Sequence, residues 1–208
     1  MSRTHLAAAA LVLASLVFVA CAGNPGTPAP DNAEPAPGSR AGPAELAAAR
    51  AAFDRVYEVL QHPRCVNCHP AGDRPLQYDP GRVHAMNVVR GTDDRGVAGM
   101  RCDSCHGTAN APFPNMPPGV ASGWRLAPRE MVFEGQSRGE LAAQLLDPKR
   151  SHMNLEQLLE HVTHDPLVLW GWEPGPGREP VPVPHAEFVA AFQSWIDSGA
   201  PVPSEGTR

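Results

Sequence analysis

Cys65-Val66-Asn67-Cys68-His69 and Cys102-Asp103-Ser104-Cys105-His106 repeat one pattern: two cysteines three residues apart and a histidine directly after the second. In a helical turn that spacing brings both thiols to one side, with the imidazole beside them. Such a group can form two thioether bonds to the vinyl groups of one haem while the histidine gives a nitrogen to its iron. The repeat therefore predicts two covalent c-type haems, one on Cys65 and Cys68 and one on Cys102 and Cys105, with His69 and His106 as proximal iron ligands. Two other chemistries suit paired Cys-x-x-Cys segments: a structural zinc ion held by four thiolates, or disulfides in an oxidising compartment. Neither gives the trailing histidines a role.

The chain begins with a leader. Leu6 to Ala20 is an apolar run behind Arg3, short for a membrane span and well matched to a secretory signal peptide. It ends Val17-Phe18-Val19-Ala20-Cys21, which resembles a bacterial lipobox with Phe18 where Leu is usual. The resemblance implies that Cys21 is lipidated and anchors the protein to a membrane facing the periplasm. Ala22, where an inner-membrane retention signal would carry Asp, favours the outer membrane. An ordinary signal peptide with Cys21 as a stray thiol is the alternative. Five cysteines divide into one anchor and two haem pairs with none left over. Residues 22–43 carry six prolines and no apolar side chain larger than Ala. Such a segment cannot bury a core and reads as a tether, reaching roughly 25 Å as a coil and about 70 Å as polyproline II. The expected organisation is a signal peptide over 1–20, lipidated Cys21 and tether over 21–43, a di-haem domain over 44–203 and a short disordered tail over 204–208.

Within that domain, 24 prolines and 19 glycines in the whole chain predict short helices joined by long irregular loops. The fold class expected is mostly α, a small cytochrome c-like domain wrapped around two haems. Leu46, Ala49, Phe53, Val56 and Leu60 share one face of a helix from Pro43 to about Gln61. Ser137-x-x-Glu140 and Asn154-x-x-Gln157 are capping boxes that open two further helices. A last helix runs from about His185 to Ser198, with Phe188, Phe192 and Trp195 in a row. The apolar run Leu167 to Trp172 calls for burial. A net charge of −5 argues against nucleic acid as a partner.

Six-coordinate irons would need a distal ligand each. Beyond His69 and His106 the mature chain offers His62, His84, His152, His161, His164 and His185. His62 is too close to its own attachment point. Met116, in Asn115-Met116-Pro117-Pro118, is an alternative ligand because a Met before Pro serves this role in single-haem cytochromes c. A Met packed on a porphyrin face is the favoured reading of it. His161 and His164 lie one turn apart on one helix, where His161 flanks the apolar stripe and His164 points nearly opposite it.

From His62 to Trp195 the stretches RCVNCHP, HAMNVVRG, MRCDSCHG, NMPPG, WRLAP, MVFEG and EHVTHDPLVLWGW are similar to bacterial di-haem proteins labelled isoquinoline 1-oxidoreductase subunit. The resemblance implies redox partnership with a molybdenum hydroxylase, and it gives His84 and His164 weight as distal ligands, against the helical wheel. The expected function is electron relay between a dehydrogenase and a respiratory acceptor, with redox proteins as partners and no catalytic residues of its own. A haem enzyme or sensor with one open distal site, binding peroxide or a diatomic gas, is the alternative.

Overall fold

The computed structural model describes residues 42–204. The expected leader, Cys21, most of the tether and the end of the tail lie outside the described residues. The protein is mostly helical, with long loops and a few short strands.

Helix α1 spans Pro43–Leu60. Pro43 stands at its first position, where the missing N–H costs nothing, and the Gly42 amide donates to Glu45 Oε2 at 2.7 Å. Its buried face is Ala49, Phe53, Val56, Val59 and Leu60, close to the stripe expected from spacing. That face meets the last helix, α7 (His185–Asp197), and the Phe53 ring lies 4.8 Å from that of Trp195. Phe188, Phe192 and Trp195 continue the core along α7 as a chain of tilted and edge-on rings. The buried Trp195 indole donates to the Pro201 carbonyl at 3.0 Å, so its one polar atom is satisfied. Outside the core, Arg55 of α1 pairs with Glu187 of α7.

Five shorter helices complete the scaffold. They are α2 (Pro63–Val66), α3 (Arg138–Leu145), α4 (Pro148–Ser151), α5 (Leu155–His164) and α6 (Pro166–Leu169). Both expected capping boxes are present at α3 and α5. Leu141 and Leu145 of α3, Leu158 and Val162 of α5, and Met131 and Phe133 before them fill the remaining core positions. Residues 167–172 depart from expectation: Gly171 alone is fully buried, while Trp170 and Trp172 are half-buried. The short turn of α6 is one layer thick, so its side chains cannot all reach the core.

Between α2 and α3 the chain forms two antiparallel ladders of two residues per strand, β1 (Leu76–Gln77) with β2 (Arg82–Val83) and β3 (Gly96–Val97) with β4 (Met100–Arg101). From Gln61 to Gly119 the fully buried residues are Arg64, Pro70, Arg90, Gly96 and Gly119, with no large aliphatic or aromatic side chain among them. A stretch this long cannot offset its ordering entropy by apolar burial of its own. Arg90 ties part of it together, bonding Asp94, Asp73 and the Ala127 carbonyl.

Phe192 is fully buried at the α1–α7 contact. Phe192→Ala is expected to destabilise the fold by about 3–5 kcal/mol, measured as a lower midpoint in urea with an unchanged slope.

Candidate functional site

Both cysteine motifs fold as helical turns, each for a local reason. After α1 the chain turns at His62, whose Nδ1 accepts from the Arg64 amide at 3.3 Å and caps α2. Cys68 N then donates to Cys65 O at 3.1 Å, and His69 N to Val66 O at 3.0 Å. In the second motif a 3-10 turn over Cys102–Ser104 is continued by His106 N donating to Cys102 O at 2.9 Å. In each motif the thiols therefore sit on successive turns with the imidazole following.

The four motif thiols are unpaired in the structure. Among the described residues no three His, Cys, Asp or Glu side chains converge on one point as metal ligands, so no four-thiolate zinc site is assembled. Burial pushes the Cys65 thiol up to about 12 and the Cys68 thiol up to about 11.

Each motif histidine is held by a backbone carbonyl from a distant loop. His69 Nδ1 lies 2.8 Å from Met131 O, and His106 Nδ1 lies 2.8 Å from Pro118 O. A carbonyl can only accept, so Nδ1 carries the proton and Nε2 keeps its lone pair, the arrangement of a metal-ligating histidine. An aromatic ring fixes each plane. Phe133 stacks on His69 at 3.6 Å and 4°, and Trp124 stacks on His106 at 4.8 Å and 8°. Burial drives the His69 pKa down to about 3 and lowers that of His106, so both rings are neutral. Gly119 permits the second carbonyl contact: a Cβ there would collide with the Ala109 and Gly107 carbonyl oxygens.

Three further histidines share this pattern. His84 Nδ1 lies 2.8 Å from Ala85 O, His161 Nδ1 lies 3.1 Å from Asp165 Oδ2, and His164 Nδ1 lies 3.0 Å from Glu160 Oε2. The His84 and His106 ring centres are 6.3 Å apart. Two imidazoles on opposite sides of one metal, each with a bond of about 2 Å, have ring centres roughly 6 Å apart. His161 lies close enough to His69 that its charge would oppose protonation of that ring. Of the histidine pair on α5, His161 is 27% exposed, whereas His164 is 65% exposed and pairs with Glu160. His161, which the helical wheel places beside the apolar stripe, is the less exposed of the two. Met116 is exposed, and its neighbours Asn115 and Pro117 line the site in its place. His62 caps α2, His152 faces Glu130 and His185 bonds the Val162 carbonyl through Nε2, so these three have structural roles.

Cys68, Cys102, Cys105, His106 and His84 open onto one cavity of about 290 Å³, which Trp124 and Trp170 help to wall. Trp170 meets Trp124 edge-on at 4.9 Å, and its indole donates to Asn110 at 3.0 Å. Cys65, His69 and His161 do not line this cavity, so the enclosure is more complete at the second motif. The two motifs adjoin there: Cys102 is near enough to Cys68 to hinder its ionisation. Paired thiols, oriented imidazoles, aromatic walls and a shared cavity fit covalently held haem. Spacing alone did not reveal Met131, Pro118, Trp124 or Phe133 as supports. His161 with Asp165 and His164 with Glu160, each four apart, follow helix periodicity.

No protein-family model, no curated protein and no solved structure matches this chain. Among the described residues, no helix is long and apolar enough to cross a membrane.

The His161 imidazole that bonds Asp165, with the Leu167 amide and the Arg125 guanidinium beside it, holds this carboxyl below its ordinary value of 3.8. The folded state thus favours the carboxylate. That stabilisation is complete above the ordinary value and is lost as pH falls through the lower folded value. Wild type should exceed Asp165→Asn in urea stability at pH 7, and the gap should narrow below about pH 4.

Proposed function

We propose that this protein is a di-haem c-type cytochrome that relays single electrons. The observation that carries the reading is the state of the two motif imidazoles: His69 and His106 each commit Nδ1 to a backbone carbonyl and leave Nε2 free, a state that His84 and His161 share, as does the more exposed His164. Cys65 and Cys68 would hold one haem and Cys102 and Cys105 the other. His69 with His161, and His106 with His84, would be the axial pairs. A bound haem supplies a one-electron ferric/ferrous couple, and bis-histidine ligation sets it lower than His/Met ligation.

The chain's own part is to hold and orient. Carbonyls and stacked rings fix the His69 and His106 imidazole planes, so neither ring would have to reorganise when a bound haem changed oxidation state. The Asp165 carboxylate draws the His161 proton and strengthens that imidazole as a donor, whereas His84 rests on a neutral carbonyl. The two sites therefore differ electronically. Adjacency of Cys68 and Cys102 supports passage of an electron from one haem to the other inside the chain. The 6.3 Å between the His84 and His106 rings supports a second imidazole for that haem over the open-site enzyme or sensor reading. A lipid anchor at Cys21, a periplasmic location, and a dehydrogenase donor with a respiratory acceptor complete the proposal. The resemblance to isoquinoline 1-oxidoreductase subunits supports a molybdenum hydroxylase as that donor.

Purified protein is expected to contain two haems per chain with low-spin spectra that carbon monoxide does not perturb. His84→Ala and His161→Ala should each turn one haem high-spin and able to bind carbon monoxide, while His164→Ala and Met116→Ala leave the spectrum unchanged. Bound zinc and no haem would overturn the reading, and prompt carbon monoxide binding by wild type would favour the open-site alternative.

A further inference from the structure

The cavity has a charge opposite to that of the chain. Arg64, Arg90, Arg101, Arg125 and Arg178 line it against a single carboxylate, Asp94, in a protein of net charge −5. Three of these cations are neutralised locally. Arg90 pairs with Asp94 at 2.6 Å, Arg101 with Asp93 at 2.8 Å and Arg125 with Asp165 at 3.4 Å.

Arg64 has a carboxylate too: its side chain, 2% exposed, pairs at one end with the largely exposed Asp79, while its buried Nε, like that of Arg90, has no hydrogen-bond partner. Arg178 donates only to carbonyl oxygens, those of Pro174 and Met116, and no carboxylate pairs with it among the described residues. Burial lowers the pKa of both, and the Arg178 charge lowers that of Arg64 further. Two mutually repelling guanidiniums in a partly buried wall are costly unless an anion joins them. A planar, two-oxygen anion suits the guanidinium fork best.

We propose that Arg64 and Arg178 together bind a propionate carboxylate of the haem carried by Cys102 and Cys105. This rests on the di-haem reading. The cavity lined by both arginines is also lined by Cys102, Cys105, His106 and His84, with Cys68 the one first-motif thiol among them, so under the di-haem reading the haem seated there would be the second. Arg64 directly precedes Cys65, and the contact would therefore fasten the second haem to the first attachment turn. A cation on the propionate disfavours the ferric state, and its removal lowers the midpoint potential of that haem.

Potentiometric titration of the full chain as wild type, Arg64→Gln, Arg178→Gln and Arg64→Lys tests this, with haem per chain measured beside it. Either glutamine variant should keep two haems. Each should change the ferric-to-ferrous ratio of one haem about tenfold at a fixed potential, a fall of about 59 mV for a one-electron couple. The haem affected should be the one that turns high-spin in His84→Ala, and Arg64→Lys should retain most of the wild-type value. Unchanged potentials in both glutamine variants at full haem content, or a shift confined to the other haem, would overturn the proposal. Should Arg64→Gln fail to fold, Arg178→Gln, at a half-buried position, decides the question alone. A wild type without haem would overturn the di-haem reading itself.

Discussion

The hydrogen bond from an imidazole Nδ1 to a backbone carbonyl is the contact on which the site depends. It settles which nitrogen bears the proton and so which nitrogen can bind metal. Met131 and Pro118 provide these carbonyls from loops far from the helical turns they serve. Each carbonyl needs its loop held in place. Phe133 N and Glu134 N donate to His69 O, and Gly119 N donates to Asn110 Oδ1 at 3.2 Å. The irregular segments are thus specified by polar contacts to the motifs rather than by packing of their own.

The domain is divided in its sources of stability. The α1–α7 contact, with α3 and α5 beside it, is an ordinary apolar core of interlocking aromatics. The region carrying the second motif has hairpins of two residues per strand, arginine networks and almost no buried hydrocarbon. Hairpins of that size are marginal in water. Under the proposed function two porphyrins would serve as the core of this half, and haem insertion and folding of the region would be one coupled event. Aromatic walls and cationic rims suit a ligand that is apolar across its faces and anionic at one edge.

Much of the scaffold was legible in the sequence. The bounds of α1, α5 and α7 follow from apolar periodicity together with Pro43, the Asn154 box and Gly199. The 167–172 run was not legible, because hydrophobicity states a demand for burial without stating how much neighbouring surface can meet it. Nor were Arg64 and Arg178 legible. An arginine's role depends on whether a carboxylate lies within reach, and that is settled by residues far away in the chain.

By itself the sequence determined the local grouping of thiols and imidazole. Two thiols and an imidazole within five residues form a local unit, and one helical turn is enough to align them. Tertiary structure decided what lies opposite each imidazole. A distal ligand can come from anywhere, so sequence offered His84 and His164 with His161 and Met116 as alternatives. Folding set His84 6.3 Å from His106, bonded His161 to Asp165, and left His164 and Met116 exposed. The physical reason is range: covalent spacing acts over a single turn, whereas axial opposition requires two distant segments to share one cavity.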